Sequence, residues 1–507
     1  MFWWNLFLNI FGIFVATLIL IVVFYKRRYN HWKDLGIEYL QPSFFYGNIK
    51  ENIHGKKALG TILAEFYNTM RARNLQHAGS YMFHIPVFVA IDLELIKKIM
   101  QVDFPHFTDH GGYLNEKDDP LSAHLAALGG QRWRELRVKL TPTFTTGKMK
   151  LMFPIIVQIA QELIKVLEKE CQNVPIEAKD ISARYTTDVI GTCAFGIDCN
   201  SLRDPKTEFR VKGSRLFDLN RKEQLANFIS FMFPKFAKFL GLRLFPKEGT
   251  DFFWKIIKET ADYREQNGIR RNDAFQLLLD MKINEETDTT DSDTMLTFKE
   301  LAAQAFVFFI GGFETSSTMM SFALLEIALN QDVQDKLREE INTVLKRYDD
   351  KMEYESLAEM RYLDMVINET LRKYPPIPVQ SRECTKDYPI PNTDVIMPKR
   401  QFIFIPVQGI HHDPEYYPDP EKFDPTRFSD ENKKSIPQFA FLPFGEGPRV
   451  CLGQRFALMQ SKVGLAFIVK NYKLKINTKT ELPVRMDPVK FFTGTIGGLW
   501  VDMEKIK

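Results

Sequence analysis

The N-terminal segment places the strongest constraint on this chain, because a long apolar run must leave water. Residues 2–25 are apolar apart from three polar positions, and three basic residues follow at positions 26–28. About 20 apolar residues suffice for a helix to cross a bilayer. A cleaved signal peptide is the alternative, but it needs a positively charged start and a shorter apolar stretch. The basic residues after the run predict a retained anchor over residues 1–28, with the body on the cytoplasmic side.

The remaining chain divides into a Pro/Gly connector over residues 29–50 and one large body over residues 51–507. Strand-like patterns occur at residues 81–91 and 402–407, and a polar loop is predicted at residues 284–293. Helical periodicity dominates the body, with helices expected at residues 57–73, 133–140, 149–172, 180–193, 252–281, 297–344 and 358–373. The expected fold is therefore mainly α with a small β-rich portion.

Charge and motif content exclude several classes of function. Lys and Arg number 67 against 64 Asp and Glu, and no basic run is interleaved with aromatics, so we expect no nucleic-acid binding. The chain has neither a GxGxxG fingerprint nor a P-loop, which excludes nucleotide binding by those routes. The five cysteines are scattered without disulfide or zinc spacing. The 43 Phe predict a bulky aromatic interior or an apolar cavity.

One cysteine, Cys451, lies in a glycine-rich segment near the C-terminus. Residues 444–453 read FGEGPRVCLG, which resembles the haem-ligand loop of the cytochrome P450 superfamily. The resemblance implies that Cys451 ligates the iron of haem b as a thiolate. It further implies that the glycines at positions 447 and 453 bring N–H groups towards the sulfur, that Arg449 pairs with a haem propionate, and that Phe444 shields the proximal pocket. A structural cysteine in a tight loop is the alternative.

A second motif interrupts a long apolar helical stretch. Gly311 and Gly312 stand inside this predicted helix, where each costs about 1 kcal/mol relative to Ala. Glu314 and Thr315 follow as a polar pair. The pattern resembles the oxygen-activation motif of the same superfamily, which implies that the glycines make room for the haem. Thr315 would then hold a reacting oxygen by a hydrogen bond, and Glu314 would supply protons. Helix packing through small residues is the alternative.

Three charged residues resemble the structural ion network of the superfamily. Glu369 and Arg372 lie three apart on one predicted helix face, which the prolines at positions 375 and 376 end. Arg427 supplies the third member from a downstream segment. The resemblance implies that these residues form a buried network with a structural role rather than a catalytic one.

Further residues are expected to contact the haem propionates. Trp133 and Arg137 match the W-x-x-x-R helix of the superfamily, and Arg382 falls where its members often place another arginine. His110 departs from the family pattern, because many relatives carry Arg there. Aromatic and apolar side chains should line a pocket for flat or bulky hydrophobic substrates, namely Phe107, Tyr113, Phe306, Val379 and Phe492.

The resemblance spans the chain, and residues 115–121, 140–145 and 188–196 look most like insect microsomal members of the sixth family. It implies a monooxygenase of the endoplasmic reticulum membrane that inserts one oxygen atom of O2 into hydrophobic molecules, chiefly plant toxins and insecticides. NADPH would supply electrons through a flavoprotein reductase, with cytochrome b5 as a further partner. The alternatives are an endogenous hormone or lipid hydroxylase, a peroxide-rearranging enzyme, and a haem protein that binds ligand without turnover.

Two surface segments suggest contacts with partners. Residues 226–245 combine many Phe and Leu with basic residues, which is typical of an interfacial segment, although packing over the pocket is the alternative. A basic cluster surrounds the Trp133 helix and the cysteine loop, and we expect it to dock an acidic flavoprotein: Arg132, Arg134, Lys139, Lys148, Lys150 and Arg455.

Overall fold

A computed structural model describes residues 1–172, 174–271, 273–282 and 296–506. The polar loop predicted at residues 284–293 lies outside these described residues. The α-helices are α1 Phe2–Tyr29, α2 His31–Asp34, α3 Lys50–Ile53, α4 Leu59–Arg71, α5 Leu93–Lys97, α6 Gly130–Leu140, α7 Thr146–Glu170, α8 Ala178–Ile190, α9 Glu208–Arg215, α10 Arg221–Met232, α11 Pro234–Phe239, α12 Lys247–Gln266, α13 Ala274–Leu279, α14 Phe298–Leu329, α15 Gln331–Lys346, α16 Tyr354–Glu359, α17 Arg361–Lys373, α18 Val407–His411 and α19 Gln454–Asn471. The strands are β1 His77–Met82, β2 Ile85–Ala90, β3 Ile176–Glu177, β4 Gln380–Glu383, β5 Tyr388–Pro389, β6 Ile396–Met397, β7 Phe402–Ile405, β8 Tyr472–Ile476 and β9 Trp500–Lys505.

The first helix differs from all the others in what it exposes. Helix α1 leaves its apolar side chains uncovered, and Tyr25 is its one buried residue. Within the described part of the chain, it begins the one helical segment long and apolar enough to cross a membrane. Trp32 in α2 is already buried, and its indole N–H donates to the Ser80 carbonyl of β1 (2.9 Å). The segment directly after the apolar helix therefore already packs against the folded body of the protein.

The β-rich portion consists mainly of a four-stranded sheet in the order β1-β2-β7-β4. Strands β1 and β2 form an antiparallel hairpin, β7 runs parallel to β2, and β4 runs antiparallel to β7. The predicted strand at residues 402–407 corresponds to β7. The run at residues 81–91 is not one strand, because Phe83 adopts a left-handed conformation (φ 52°) and turns the chain between β1 and β2.

Helix α14 forms the centre of the larger hydrophobic core and packs along α8 and α19. Its first turn is fixed by a capping box between Thr297 and Glu300. The helix predicted over residues 297–344 is two helices, because Asn330 leaves the helical conformation (φ −112°, ψ 88°). The apolar periodicity continues through this turn, so the break was not visible in the pattern. The helix predicted over residues 252–281 likewise divides into α12 and α13. The mainly helical fold with a small β portion is confirmed.

Candidate functional site

One face of α14 opens onto space inside the protein. Most of this helix is buried, yet accessible residues recur every four positions along one side, at Val307, Gly311 and Thr315. A side chain at Gly311 would meet no atom within 4 Å, whereas one at Gly312 would lie 2.6 Å from Ile190 of α8. Gly311 therefore keeps the cavity face open. Gly312 lets α8 approach closely, which is the packing alternative for this position.

Cys451 lies deep in the protein, but its side chain is accessible. A side chain can be both deep in the protein and accessible if it faces an internal cavity, so we infer that the thiol does. Burial raises the pKa of the thiol, while the N–H groups of Gly453 and Gln454 and the positive charge of Arg137 oppose that rise. Since α19 begins at Gln454, the sulfur lies at the N-terminus of an 18-residue helix, where negative charge is favoured.

The loop before Cys451 is held in a tight conformation. Gly447 has φ 72°, and a side chain there would lie 2.0 Å from the Met100 carbonyl oxygen, so only glycine fits. The Cys451 N–H donates to the carbonyl of Phe444 (2.9 Å), whose ring packs half-buried against the core. Gly453 has a φ of −88°, which is open to any residue. Its contribution is the N–H directed at the sulfur.

The structure groups three arginines and an indole beside this loop. Arg449 is buried, and its guanidinium lies 4.0 Å from the centroid of the Trp133 ring. It donates to three backbone carbonyls, at residues 108, 125 and 128 (2.7–3.2 Å). Burial, together with the positive charges of Arg382 and Arg137 and against the negative charge of Asp109, lowers the pKa of Arg449 to about 9. The cluster therefore carries excess positive charge.

Arg382 offers the clearest unfilled hydrogen-bonding capacity in this cluster. It is 1% exposed, and its Nη1 contacts the Ser381 carbonyl (2.8 Å) and the Nδ1 of His110 (3.0 Å). Its buried Nε has no hydrogen-bond partner among the described residues. Burial, together with Arg382 and Arg449, lowers the pKa of His110 to about 3, so this ring adds no charge near pH 7. The cluster is suited to an anionic group such as a carboxylate.

Glu314 and Thr315 are neighbours in sequence, but the helix directs their side chains to different elements. The Thr315 hydroxyl is on the cavity side and donates to the Gly311 carbonyl (2.6 Å). The Glu314 carboxylate faces α8, where it pairs with the ammonium of Lys179 (3.0 Å). Lys179 also donates to the hydroxyls of Ser317 and Thr318 (2.8 Å each). Sequence reasoning missed Lys179, since a lysine in the first turn of a helix carries no signal of a buried partner.

Glu369, Arg372 and Arg427 come together away from the cavity. Glu369 and Arg372 are fully buried and share two bonds of 2.8 Å. Arg427 approaches Glu369 more loosely, with its Nε 3.5 Å from the carboxylate. The complete burial of Glu369 and Arg372 agrees with a structural role, whereas Arg427 is partly accessible. His411 was also missed, and it contacts Arg372 (3.0 Å).

The residues expected to line a substrate pocket differ in their surroundings. Val379 and Phe492 border a cavity of about 220 Å³ between α4 and the C-terminal segment. Tyr113 is nearly buried, and its hydroxyl donates to the Leu242 carbonyl. Phe107 and Phe306 have no accessible surface and pack inside the two hydrophobic cores. Aromatic neighbours enclose both rings in this structure, and their place at the substrate pocket stays a prediction.

The donor set fits haem better than a bare metal ion. Over residues 1–172, 174–271, 273–282 and 296–506, no three His, Cys, Asp or Glu side chains group as metal ligands do. A single accessible thiol suits iron that brings its own ring of nitrogen ligands. The buried arginines beside it suit the carboxylates that such a macrocycle carries, and Gly311 leaves open space along α14.

Comparisons with known proteins agree with this geometry. Residues 39–499 match the family model described as Cytochrome P450. Cytochrome P450 6A1 of Musca domestica is 42% identical over 96% of this chain and 96% of its own length. Probable cytochrome P450 6a23 of Drosophila melanogaster is 42% identical over 97% of this chain and 98% of its own, and cytochrome P450 6a2 of that organism is 39% identical over 97% and 98%.

These matches confirm the resemblance to the sixth family that the motifs indicated. The protein is a haem monooxygenase with an apolar N-terminal helix suited to membrane anchoring, and the family uses O2 and electrons derived from NADPH through a reductase. The chain therefore belongs to the cytochrome P450 family.

Proposed function

We propose that Cys451 is the thiolate ligand of the haem iron in a membrane-anchored monooxygenase of hydrophobic small molecules. The accessible thiol deep inside the protein, beside Arg137, supports this role. Bound haem supplies the activation of O2, in which two electrons and two protons place one oxygen atom in the substrate and release the other as water. The N–H groups of Gly453 and Gln454 stabilise the negative sulfur by partial positive charge.

Other side chains bind the cofactor and handle protons. Arg382 would donate its unpaired Nε–H to a haem carboxylate. Arg449 adds positive charge at short range while Trp133 excludes water from it. The Thr315 hydroxyl, which now donates to a helix carbonyl, can turn to hold an oxygen or a water in the cavity. Glu314, whose carboxylate lies on the neighbouring face of α14, would supply a proton to that oxygen.

Replacing Cys451 by Ser tests the ligand assignment. The Cys451→Ser protein should lose the red-shifted Soret band that reduced haem-thiolate proteins show with CO, because an alcohol does not replace a thiolate ligand. Cys384→Ser is the matched control, since Cys384 is a free, fully buried thiol in the β-rich part of the fold. A Cys451→Ser protein that keeps the band would overturn the assignment.

The substrates that fit best are apolar xenobiotics such as plant toxins and insecticides. An aromatic cluster supports this class, since Phe217 packs between Phe313 of α14 and Phe492, which borders the cavity of about 220 Å³ (6.0 and 5.7 Å). A hormone or lipid hydroxylase would use the same chemistry. A screen of binding spectra with toxins, steroids and fatty acids, followed by NADPH-dependent product analysis, separates the two. Turnover of endogenous compounds alone would reverse the proposal.

Electrons would enter through a reductase that docks on the basic surface around α6. The exposed Arg134 supports this, while Arg132 and Lys150 already pair with Glu116 and Glu355 (2.6 Å each) and contribute less free charge. Arg134→Glu should slow reduction by the reductase and weaken its salt dependence. Turnover driven by added peroxide should be unchanged. An equal fall in both activities would point to damage at the haem site and contradict docking. Cytochrome b5 is proposed to use the same surface.

The protein would reside in the endoplasmic reticulum membrane, with the anchor over residues 1–28 and residues 29–50 joining it to the cytoplasmic catalytic domain over residues 51–507. Basic residues at the end of α1 support that orientation. A second contact is proposed at α11, where Phe239 is 84% exposed. His84 lies next to both Phe24 of α1 and Phe233 (5.1 and 6.0 Å), so the exposed rings lie beside the point where the anchor ends.

A further inference from the structure

His411 joins two parts of the site that are far apart in the sequence. It ends α18 and is completely buried. The Leu442 N–H donates to its Nε2 (2.8 Å), and its Nδ1 lies 3.1 Å from the Arg372 carbonyl oxygen. Since Nε2 accepts a hydrogen bond, the ring proton is on Nδ1, which donates to that carbonyl. One imidazole therefore connects α17 to the segment that leads into the cysteine loop.

The connection is reciprocal, because Arg372 also holds the backbone of His411. Its guanidinium donates to the His411 carbonyl (3.0 Å) and to both carboxylate oxygens of Glu369 (2.8 Å each). The buried ion pair thus fixes the backbone at His411. The ring of His411 in turn fixes Leu442, so this side chain links the ion network to the cysteine loop.

Two other side chains restrain the same segment. The Tyr417 hydroxyl donates to the Ala440 carbonyl (3.1 Å), and the Gln380 amide donates to the Leu442 carbonyl (3.0 Å). Both restrain carbonyl oxygens. His411 differs from them because it is the acceptor for the Leu442 N–H, which would otherwise be a buried donor without a partner.

We propose that His411 is a positioning residue for Cys451. Leu442 lies two residues before Phe444, whose carbonyl accepts the Cys451 N–H (2.9 Å). A fixed Leu442 amide therefore fixes the start of the loop whose other end presents the thiol. The inference rests on the proposed ligation of the haem iron by Cys451 and adds a residue that holds that ligand in place.

The chemistry of the imidazole suits this role near neutral pH. Burial, followed by the charges of His412 and Arg372, lowers the pKa of His411 to about 3. The ring is therefore neutral, and Nε2 stays an acceptor. His411 also stacks on Phe441, with 5.5 Å between the ring centroids and an interplanar angle of 26°. Its plane is held independently of the two hydrogen bonds.

Three variants separate the hydrogen bonds from the packing. His411→Phe keeps a stacked ring but removes both nitrogens. His411→Asn can still donate to the Arg372 carbonyl, but its shorter side chain cannot reach Leu442. Tyr417→Phe is the matched control, since it removes one hydrogen bond to the same segment and leaves the Leu442 N–H paired. The full-length holoprotein is assayed for the rate at which the reduced, CO-bound thiolate band decays, and for hydrogen exchange at the Leu442 amide.

His411→Phe and His411→Asn should lose the thiolate band about tenfold faster than the wild type, because each leaves a buried N–H unpaired. Exchange at Leu442 should rise in both, and Tyr417→Phe should stay within about twofold of the wild type for both measurements. If His411→Phe does not fold, His411→Asn decides alone. Faster exchange at Leu442 without faster decay of the band overturns the inference. A wild-type protein without the band would instead refute the ligation by Cys451.

Discussion

Replacing Arg372 with Met would remove one half of a completely buried ion pair. The side chains of Arg372 and Glu369 are both 0% exposed, and two bonds of 2.8 Å join them. The same guanidinium donates to the carbonyls of His411 and Pro420 (3.0 and 2.8 Å). Met has a comparable shape but cannot donate, so Glu369 must stay charged without its main partner or take up a proton.

The expected loss is about 3–5 kcal/mol in the free energy of unfolding, because removing one partner leaves an uncompensated buried charge. Proteins are typically stable by about 5–15 kcal/mol, so the loss is a large fraction of the total. Arg427 provides the comparison. Its Nε lies 3.5 Å from Glu369 without hydrogen-bond geometry, and it donates to the Asp419 carbonyl (3.0 Å). Arg427→Met should therefore cost only about 1 kcal/mol.

Urea unfolding of the full-length protein in detergent, followed by tryptophan fluorescence and haem absorbance, measures both losses. Arg372→Met should lower the midpoint far more than Arg427→Met. The double variant Glu369→Met with Arg372→Met should recover part of the loss, because neither charge of the completely buried pair remains. Equal midpoints for the two single arginine variants would refute the reasoning. So would a double variant whose loss equals the sum of its two single losses.

Three further predictions concern protons, pH and the membrane. Thr315→Ala should leave haem binding nearly unchanged but raise the peroxide formed per NADPH consumed, and unchanged coupling would contradict its role. Burial lowers the pKa of His110 and His411 from 6.5 to about 3, so only the unfolded chain binds these protons between the two values. Unfolding midpoints should therefore fall as the pH drops from about 6.5 towards 3, and less steeply in His110→Gln. Deleting residues 2–25 should leave some protein bound to vesicles, which Phe239→Ser should release; a fully soluble deletion protein would refute the second contact.

The features that the sequence predicted well are local ones. Cys451 and its glycines, the Gly311 to Thr315 stretch and the Glu369–Arg372 spacing each lie within a few residues, so the backbone brings their members together. The long helices could be predicted from apolar periodicity, because helices buried on one side repeat every three to four residues. The predicted ends of these helices are less accurate. The turn at Asn330 does not interrupt the apolar pattern, so the two helices around it were read as one.

The features that the sequence did not predict depend on tertiary contacts. Lys179 meets Glu314 from another helix, 135 positions away, and His411 meets Leu442 across 31 positions. Neither pairing follows from composition or spacing. Phe107 and Phe306 are expected at the substrate pocket because they are aromatic. Which side of a bend or helix a ring occupies is set by its packing partners, and both rings are enclosed in the core.

The arginine cluster connects haem binding to the stability of the fold. Burial lowers the pKa of Arg382 and Arg449 to about 10 and about 9, which shows that the charged forms of both are disfavoured where they lie. The Asp109 carboxylate is 4.0 Å from Arg449, too far for a hydrogen bond. Haem carboxylates would offset the cost of burying these charges only in the folded protein, because the two arginines are not held together in the unfolded chain. Haem binding should therefore stabilise the fold through these residues, in addition to the bond from Cys451.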